Sequence, residues 1–324
     1  MTRYILTGAS GHIGNNLVRL INQIEPESEI LALTRREIEK ELTGTDCTQV
    51  IGDLFDESYL SNIIQKGDIV VHLAGLIDLT DKRADEMYRV NYELTKKLCK
   101  ICKEAQVRRF IYVGSVDGIA KDGFEAPITE PSSYDPSRVE GHYGKSKAMA
   151  MQYVLNEIQA KTSFSVAMAI PSAVIGAHDY KPSAVGKVIL NTLNGRAELG
   201  IHGGYDFVSV TDVCKAIYVL CHNDICDQFI LCGGAMRVEE LYDVINREMG
   251  LRKKPILLPK WVILPFLPFV KVLNKTTLKA LCEPHQYSSE KAKRELAYAP
   301  LSAREAVSEA VQWFKKEKEH KRKT

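Results

Sequence analysis

Residues 3–24 read RYILTGASGHIGNNLVRLINQI: an apolar run, then three glycines, then an amphipathic helical pattern. Gly8, Gly11 and Gly14 permit a tight turn, close approach of the backbone to a bound pyrophosphate, and close packing of the helix on the strand. The amino end of the helix would stabilise the phosphate charge. Strand, glycines and helix in this order predict a dinucleotide-binding turn, rather than an ordinary strand-to-helix connection, formed by Thr7, Gly8, Ser10, Gly11, His12, Ile13 and Gly14.

The first 170 residues continue this alternation of strand and helix. Short β-branched runs predict strands at 4–7, 29–33, 49–51, 69–73, 110–113 and 165–169. Helical periodicity falls between them, near 12–24, 56–65, 84–105 and 141–160. The alternation is typical of an α/β fold with a Rossmann-type, doubly wound parallel sheet that helices cover on both faces. Ligands of such sheets bind outside the carboxyl ends of the strands.

After Pro171 the alternation becomes irregular. Helical patterns occur near 183–194, 211–222, 237–249, 288–296 and 302–319, with one further strand at 228–231. We therefore predict a dinucleotide-binding domain over 1–170, with 207–232 returning to its sheet. A smaller, mainly helical lobe for substrate is predicted over 171–206 and 233–324.

Composition excludes several classes of protein. The 324 residues are 45% hydrophobic and carry a formal charge of +2, so bulk charge implies neither nucleic acid nor an anionic membrane as a partner. The eight cysteines lack the spacing of a disulfide framework or a metal site, so we expect reduced thiols and no metal. The N-terminus has no secretory signal pattern, and prolines interrupt the most apolar stretch, 256–273. We therefore expect a cytoplasmic protein without a transmembrane segment.

The end of the second predicted strand favours a phosphorylated cofactor. NAD-preferring sites place an acidic residue there to bind the ribose hydroxyls. This chain has Thr34-Arg35-Arg36 instead. Two guanidiniums suit a 2′-phosphate through charge-assisted, bidentate contacts. We predict NADP(H) as the preferred cofactor and NAD(H) as the second choice; the alternative is that Arg35 and Arg36 only solvate a loop.

Two later strand ends also suit a dinucleotide. Asp53 and Leu54 follow the third strand, where a carboxylate and an apolar neighbour can meet the adenine. Leu73, Ala74 and Gly75 follow the fourth strand, where small residues let the backbone approach the cofactor. Each signal is weak alone, but their order along the chain strengthens the prediction.

A serine, a tyrosine and a lysine form the predicted catalytic group. Ser115 follows the fifth strand, where a hydroxyl would face a bound nicotinamide. Tyr143 and Lys147 are four positions apart on a predicted helix and share one face. We predict that Tyr143 exchanges a proton with the substrate oxygen and that Ser115 orients that oxygen. Lys147 is expected to lower the pKa of Tyr143 and to bind the nicotinamide ribose.

Together these motifs resemble the extended short-chain dehydrogenase/reductases over roughly residues 1–235. In that family an asparagine of the fourth helix supports a proton-relay water near the lysine, which implies this role for Asn91. The segment 171–174 is similar to the one that lines the nicotinamide, which implies cofactor contacts from Pro171, Ser172 and Val174. Asp212 falls in a late aspartate motif and is expected to cap a helix. The resemblance also implies a homodimer through the helices near 84–105 and 141–160.

The residue at position 205, a tyrosine, helps to distinguish two branches of this family. Nucleotide-sugar epimerases and dehydratases usually carry an arginine at this place, before Asp206-Phe207, to bind phosphates. The Gly-Gly-Tyr form and the arginines after the second strand are more similar to dihydroflavonol-4-reductase-like enzymes and 3β-hydroxysteroid dehydrogenases. This implies NADP(H)-dependent reduction of a ketone, or oxidation of a secondary alcohol, on a small hydrophobic substrate such as a flavonoid-like or steroid-like compound.

Two other functions stay open. One is an NAD-dependent epimerisation or dehydration of a nucleotide sugar. The other is a sensor that binds NADP without chemistry, which the presence of Ser115, Tyr143 and Lys147 together disfavours. The apolar segment 256–273 is a substrate lid, a helix packed on its own lobe, or a lipid contact.

Overall fold

The computed structural model describes residues 1–38, 40–78, 82–121, 127–196, 199–251, 255–263, 278–279, 282 and 285–323. Within these ranges the strands are β1 (Arg3–Thr7), β2 (Glu29–Thr34), β3 (Thr48–Ile51), β4 (Ile69–His72), β5 (Arg109–Val113), β6 (Val166–Pro171), β7 (Ala173–Ile175), β8 (Leu199–Ile201), β9 (Gly204–Ser209), β10 (Gln228–Leu231), β11 (Ala235–Arg237) and β12 (Ile256–Leu258). The helices are α1 (His12–Ile24), α2 (Glu57–Ile63), α3 (Ala84–Met87), α4 (Leu94–Glu104), α5 (His142–Gln159), α6 (Ala184–Leu193), α7 (Val210–His222), α8 (Val238–Met249), α9 (Lys260–Ile263), α10 (Glu290–Leu296) and α11 (Ala303–Lys323).

The main sheet has seven strands in the order β10-β6-β5-β4-β1-β2-β3, and every pair is parallel. This confirms the predicted Rossmann-type, doubly wound sheet. The strand order reverses between β1 and β4, so the crevice outside the carboxyl ends of these two strands is where ligands of such sheets bind. Thr7 ends β1 and His72 ends β4, and the two residues are paired across this point.

The side chains of β1 alternate between two apolar layers. Ile5 lies in the layer that contains Leu98 of α4, whereas Leu6 lies in the opposite layer with Leu17 of α1. Successive side chains of a strand point to opposite faces of the sheet. Because helices cover both faces, the strand reads as a continuous apolar run rather than an alternating one.

The predicted strands and helices of the main sheet are confirmed to within a few residues. Helix α1 spans the predicted range, and α5 begins at His142, so that Tyr143 and Lys147 lie in its first two turns. The helix predicted over 84–105 is interrupted by a π turn, Tyr88–Glu93, between α3 and α4. A π turn widens the helix locally and is common at functional sites. Here it contains Asn91, which is buried.

The smaller lobe contains more strand than we predicted. Strands β7, β9 and β11 form a three-stranded sheet, and β8 pairs with β12. Four of these strands, β7, β8, β11 and β12, have only three residues, too few for periodicity to separate them from loops. The predicted return to the main sheet also begins later than expected, because 207–209 belong to β9. Within 207–232, it is α7, which packs on α1, and β10, which pairs with β6, that reach the main sheet.

The eight cysteines are free thiols, and those at 99, 102, 214, 221 and 232 are buried. Across the described ranges no group of three or more histidine, cysteine or carboxylate side chains is arranged to hold a metal ion. None of the described helices combines the length and the apolar character that crossing a membrane requires.

Candidate active site

Glycines shape the turn between β1 and α1. Gly8 has a φ of +75°, and a Cβ there would lie 2.7 Å from the backbone nitrogen of Ala74. A Cβ on Gly14 would lie 2.3 Å from the carbonyl oxygen of Gly8. Both positions therefore require glycine. At Gly11 a Cβ would meet only the Gly8 carbonyl oxygen within 4 Å, so the backbone there is open to the approach of a ligand, as a pyrophosphate requires.

The other side chains of the turn differ in their surroundings. Ser10 is half-buried, and Ile13 packs against the layer of Leu6 and Leu17. The Nε2 of His12 lies 2.9 Å from the carbonyl oxygen of Ala177, and burial lowers the pKa of this histidine. The ring of His12 therefore bonds the turn to the smaller lobe. The backbone N–H of His12, at the start of α1, is the group that remains for a ligand.

A chain of hydrogen bonds joins the ends of β1 and β4. Thr7 Oγ1 lies 2.7 Å from Nδ1 of His72 and accepts from the backbone N–H of Ala74 at 3.2 Å. Nε2 of His72 lies 2.9 Å from Thr95 Oγ1, whose own proton goes to the Asn91 carbonyl at 2.7 Å. Thr95 must therefore accept from Nε2, and Thr7 must donate to Nδ1. This assigns His72 as the neutral Nε2–H tautomer.

His72 was not among the predicted site residues. A polar residue at the end of an otherwise apolar strand, Ile69–His72, is the signal that could have found it. Such a residue lies at the ligand-binding edge of the sheet.

Lys147 is buried under the crevice. Its Nζ donates to the carbonyl oxygen of Val113 at 3.1 Å and lies 5.3 Å from the centre of the Tyr112 ring. Burial lowers the pKa of Lys147 to about 8. Burial, and then the charge of Lys147, lower the pKa of His72 to about 3. At neutral pH the site therefore holds a largely protonated lysine beside a neutral histidine.

Hydrogen bonds of the Asn91 side chain connect the loop after β4 to α5. Its Oδ1 accepts from the N–H of Leu76 at 2.7 Å, and its Nδ2 donates to the Leu76 carbonyl and to Ser146 Oγ, both at 2.9 Å. A Cβ on Gly75 would lie 3.4 Å from Asn91 Oδ1 and 3.5 Å from Lys147 Nζ. Gly75 therefore leaves space between the two groups that a side chain would fill. The role of Asn91 in holding a relay water stays a prediction.

Two glycines bring the turn after β5 against the start of α5. A Cβ on Gly118 would lie 2.8 Å from the sulfur of Met151, and a Cβ on Gly144 would lie 2.7 Å from the carbonyl oxygen of Asp117. A larger residue at either position would push the turn away from the helix. The close approach lets the Ser115 side chain form a hydrogen bond with Tyr143.

The pKa of Tyr143 is raised, which reverses our expectation that Lys147 would lower it. Burial is the largest cause, the charge of Asp117 adds to it, and the hydrogen bond with Ser115 opposes it. The ammonium of Lys147 is directed at the Val113 carbonyl instead. Tyr143 is therefore held in its protonated form.

The Asp117 carboxylate also contacts the smaller lobe. The Tyr205 hydroxyl, on β9, donates to Asp117 Oδ1, and Lys121 Nζ lies 3.8 Å from the same oxygen. The backbone N–H of Asp117 donates to Ser115 Oγ at 3.2 Å. Burial, and then the charge of Asp117, raise the pKa of Tyr205 and of Tyr287. The sequence singled out Tyr205, and the structure joins it to Asp117.

The predicted phosphate-binding arginines are both exposed at the end of β2. In the described part of the chain neither Arg35 nor Arg36 forms an ion pair with a carboxylate. The hydrogen bond from Arg83 is the main cause that lowers the pKa of Glu86, and the charge of Arg35 contributes to it. The guanidiniums of Arg35 and Arg36 are thus available to an anionic ligand.

The other predicted cofactor residues lie at or after the carboxyl ends of β3, β4 and β6, with the last of them in β7: Asp53, Leu54, Leu73, Ala74, Gly75, Pro171, Ser172 and Val174. Asp53 is exposed, and its Oδ1 accepts from the N–H of Phe55 at 3.0 Å. Leu54 is only 8% exposed and packs in the core, so little of it is available to an adenine. Leu73 and Val174 pack partly buried against the layer of Leu6.

Asp212 does not cap a helix, contrary to our expectation. The cap of α7 is Ser209, whose side chain accepts from the N–H of Thr211 at 3.2 Å. Oδ2 of Asp212 instead accepts from the N–H of Leu301 at 2.8 Å. Asp212 therefore anchors the chain before α11 to α7.

Of the apolar segment 256–273, residues 264–273 lie outside the described residues. In its described part, Ile256 is 61% exposed and Trp261 is 74% exposed. The three interpretations of this segment stay predictions.

Comparison with known proteins agrees with this fold. The family model described as NAD dependent epimerase/dehydratase family matches residues 4–229. The chain is 24% identical to sterol demethylase protein B of Methylococcus capsulatus, over 96% of this chain and 98% of that one. It is 27% identical to the decarboxylating sterol-4-alpha-carboxylate 3-dehydrogenase of Dictyostelium discoideum, over 67% of this chain and 66% of that one.

A solved structure shows the same architecture over the whole chain. The crystal structure of gox2253 superimposes with a TM-score of 0.83 at 26% identity, covering 98% of this chain and 99% of that chain. The family match, the parallel sheet and the Ser115, Tyr143 and Lys147 group agree with the resemblance drawn from the sequence. The chain therefore belongs to the NAD-dependent epimerase/dehydratase family and is an NAD(P)-binding enzyme of the extended short-chain dehydrogenase/reductase type.

Proposed function

We propose that the chain is an NADP(H)-dependent oxidoreductase that reduces a ketone, or oxidises the matching secondary alcohol, on a small hydrophobic substrate. The observation that carries the proposal is the packing of the turn that holds Ser115 against the first two turns of α5, which hold Tyr143 and the buried Lys147. A protonated phenol can give its proton to a substrate oxygen, and a neighbouring hydroxyl can orient that oxygen.

Each residue of the site has a separate role in the proposed reaction. A nicotinamide bound in the crevice would supply or accept the hydride. Ser115 holds the substrate oxygen next to Tyr143, which donates its proton in reduction and takes one back in oxidation. Lys147, whose ammonium donates to the Val113 carbonyl, would bind the nicotinamide ribose and so hold the cofactor beside Tyr143.

Preference for NADP(H) over NAD(H) follows from Arg35 and Arg36. Both are exposed at the end of β2, beyond the glycine turn, and neither has a carboxylate partner in an ion pair within the described ranges. A 2′-phosphate would supply the missing anion through bidentate, charge-assisted contacts. A neutral ribose hydroxyl would use little of this charge.

A hydrophobic substrate without phosphates follows from Tyr205 and Asp117. At the place where nucleotide-sugar enzymes of the family usually carry an arginine, this chain presents a phenol bound to a carboxylate. A carboxylate there repels a diphosphate instead of binding it. Two relatives are named for sterols, which supports a steroid-like substrate; a flavonoid-like one shares the apolar, bulky character.

We also propose that the enzyme is a homodimer through the outer faces of α4 and α5, the arrangement that the family resemblance implies. Sedimentation velocity of the purified protein tests this. A single species at the mass of one chain, at every concentration, would contradict it.

Calorimetry with NADPH, NADH and UDP-glucose, in parallel, tests the cofactor and the substrate class. We expect tighter binding of NADPH than of NADH, a loss of that preference by roughly 10- to 100-fold in Arg35→Ala or Arg36→Ala, and no binding of UDP-glucose. Arg108→Ala is the matched control. Arg108 is exposed just before β5 begins, at the amino ends of the parallel strands, whereas the cofactor crevice lies at their carboxyl ends.

Turnover is then measured as NADPH consumption with a set of steroid and flavonoid ketones. Reduction of at least one ketone that stops in Tyr143→Phe supports the proposal. NADH preference together with affinity for UDP-glucose would replace it with the epimerase or dehydratase function. Cofactor binding with no turnover of any ketone, and no effect of Tyr143→Phe, would replace it with the sensor function.

A further inference from the structure

Asp117 and Tyr205 form a rigid bridge between the main sheet and the smaller lobe. Tyr205 lies within β9, where it is paired with Met236 of β11, so its backbone is fixed by a sheet. Asp117 lies in the turn after β5, fixed by its N–H bond to Ser115 Oγ and by the close approach to Gly144. The Tyr205 hydroxyl donates to the Asp117 carboxylate across the gap. The carboxylate is thus held at a defined place, two positions from the catalytic serine.

The charge of the Asp117 carboxylate affects the pKa of the catalytic phenol and of two neighbouring phenols. Three phenols, those of Tyr143, Tyr205 and Tyr287, have their pKa raised partly by Asp117. The one cation facing it among the described residues is Lys121, whose Nζ lies 3.8 Å away and whose side chain is 24% exposed. An ion pair of this exposure is partly screened by water. A negative charge therefore remains beside the position that Tyr143 and Ser115 give to the substrate oxygen.

We propose that Asp117, held in place by Tyr205, is a specificity-determining residue that selects substrates with no acidic group next to the reacting carbon. The inference rests on the proposed function and narrows its substrate class to neutral ketones and alcohols. A substrate carboxylate on the neighbouring carbon would lie close to Asp117, whose side chain is 32% exposed. Like charges at such a distance repel, and partial exposure to water weakens this repulsion without removing it.

Two matched substrates test the selection. One is a 3-hydroxysteroid with a carboxylate on the adjacent carbon, and the other is its methyl ester, which has almost the same shape and no charge. Oxidation with NADP⁺ is followed as NADPH formation. We expect the wild-type protein to prefer the ester by on the order of tenfold or more in kcat/KM, mostly through KM, because repulsion acts on binding.

Substitutions then locate the source of the preference. In Asp117→Asn the ratio of kcat/KM for the ester to that for the acid should fall by on the order of tenfold, through a KM for the acid that improves relative to the KM for the ester. Tyr205→Phe removes the hydroxyl that holds the Asp117 carboxylate in place, so the preference should fall, but by less than in Asp117→Asn, because the charge remains. Asp135→Asn is the charge-matched control, since Asp135 is exposed and bonds locally to Ser137.

The outcomes separate this inference from the proposed function. Equal use of acid and ester by the wild type, or an unchanged ratio in Asp117→Asn, would overturn the inference and leave the oxidoreductase function standing. If neither compound is oxidised, calorimetry with the NADP⁺-loaded protein gives the same ratio as dissociation constants. An ester preference in binding that Asp117→Asn removes would then support the inference although the proposed function has failed. Equal affinities for the two compounds, or no binding of either, would overturn the inference.

Discussion

Thr7 Oγ1 lies 2.7 Å from Nδ1 of His72, although 65 positions separate the two residues in the chain. The contact joins the strand that carries the glycine turn to the neighbouring strand that begins the next loop of the crevice. Because Thr95 donates to the Asn91 carbonyl, it must accept from Nε2 of His72. Burial keeps His72 neutral, so Thr7 donates to Nδ1, whereas protonation of His72 would reverse the direction of this hydrogen bond.

Stability should therefore depend on pH through His72. Its pKa in the folded protein is about 3, against an ordinary 6.5, so the unfolded state binds a proton that the folded state does not between these values. The free energy of unfolding should fall as the pH is lowered from 6.5 towards 3, by at most about 1.4 kcal/mol per pH unit from this group. Urea unfolding at several pH values should show a shallower dependence in His72→Gln.

The exposed histidine variant His202→Gln is the control for this measurement. It should keep the wild-type dependence of unfolding free energy on pH. Equal slopes in the wild type and His72→Gln would show that His72 is not protonated on unfolding in this range.

Gly8→Ala should lose both stability and cofactor binding. The left-handed backbone at φ +75° costs an alanine about 1 kcal/mol, and its Cβ would also meet the Ala74 backbone at 2.7 Å. Gly250 has a similar φ of +65° with nothing within 4 Å of a Cβ, so Gly250→Ala should show the backbone cost alone. Thermal unfolding and NADPH calorimetry on both variants measure the difference. Equal losses in the two variants would mean that the contact with Ala74 relaxes.

Tyr143→Phe should abolish most turnover while keeping the cofactor. Removing the phenolic proton takes away the acid and base of the reaction, a loss of about 10²- to 10⁴-fold in kcat. The affinity for NADPH should change little, because the ring and its packing remain. Tyr218→Phe is the control, since the Tyr218 hydroxyl donates to Glu25 in a separate cluster between α1 and α7. Residual turnover within tenfold of the wild type would assign the proton transfer to another group.

The pH range of ketone reduction should extend well above neutral. The raised pKa of Tyr143 keeps the phenol protonated as the pH rises, so the fall in kcat/KM for reduction that ionisation of the phenol causes should lie well above neutral pH. Removing the charge of Asp117 takes away one cause of the raised pKa, so Asp117→Asn should move this fall to lower pH. A profile of kcat/KM against pH for both proteins provides the comparison. A shift to higher pH in Asp117→Asn would contradict the assigned sign.

Arg109→Met should destabilise the fold without changing cofactor affinity. The Arg109 side chain is buried at the start of β5 and donates to the carbonyl oxygens of Leu220, at 2.8 Å, and Ile225, at 2.5 Å. Removing the guanidinium leaves these acceptors buried without a donor, which costs about 2–4 kcal/mol in unfolding free energy. Urea unfolding measures the loss. Arg108→Met, next to it but exposed, should cost less than about 0.5 kcal/mol.

The sequence by itself determined the features that depend on neighbouring residues. The apolar period, the glycines at 8, 11 and 14 and the spacing of Tyr143 and Lys147 act within one strand, one turn or one helix. The strands of the main sheet, α1 and the start of α5 were therefore predictable. Strands of three residues such as β7 and β11 were not, because so short a run has no readable period.

The tertiary structure alone decided the electrostatics of the site. Asp117 and Tyr205 are 88 positions apart, and their hydrogen bond exists only because β9 lies beside the turn after β5. The same holds for Thr7 and His72, and for Lys147, whose ammonium meets the Val113 carbonyl rather than the phenol one turn away. Spacing on a helix shows which side chains can meet, but burial and the partners brought by distant segments determine the charge and the pKa of each group.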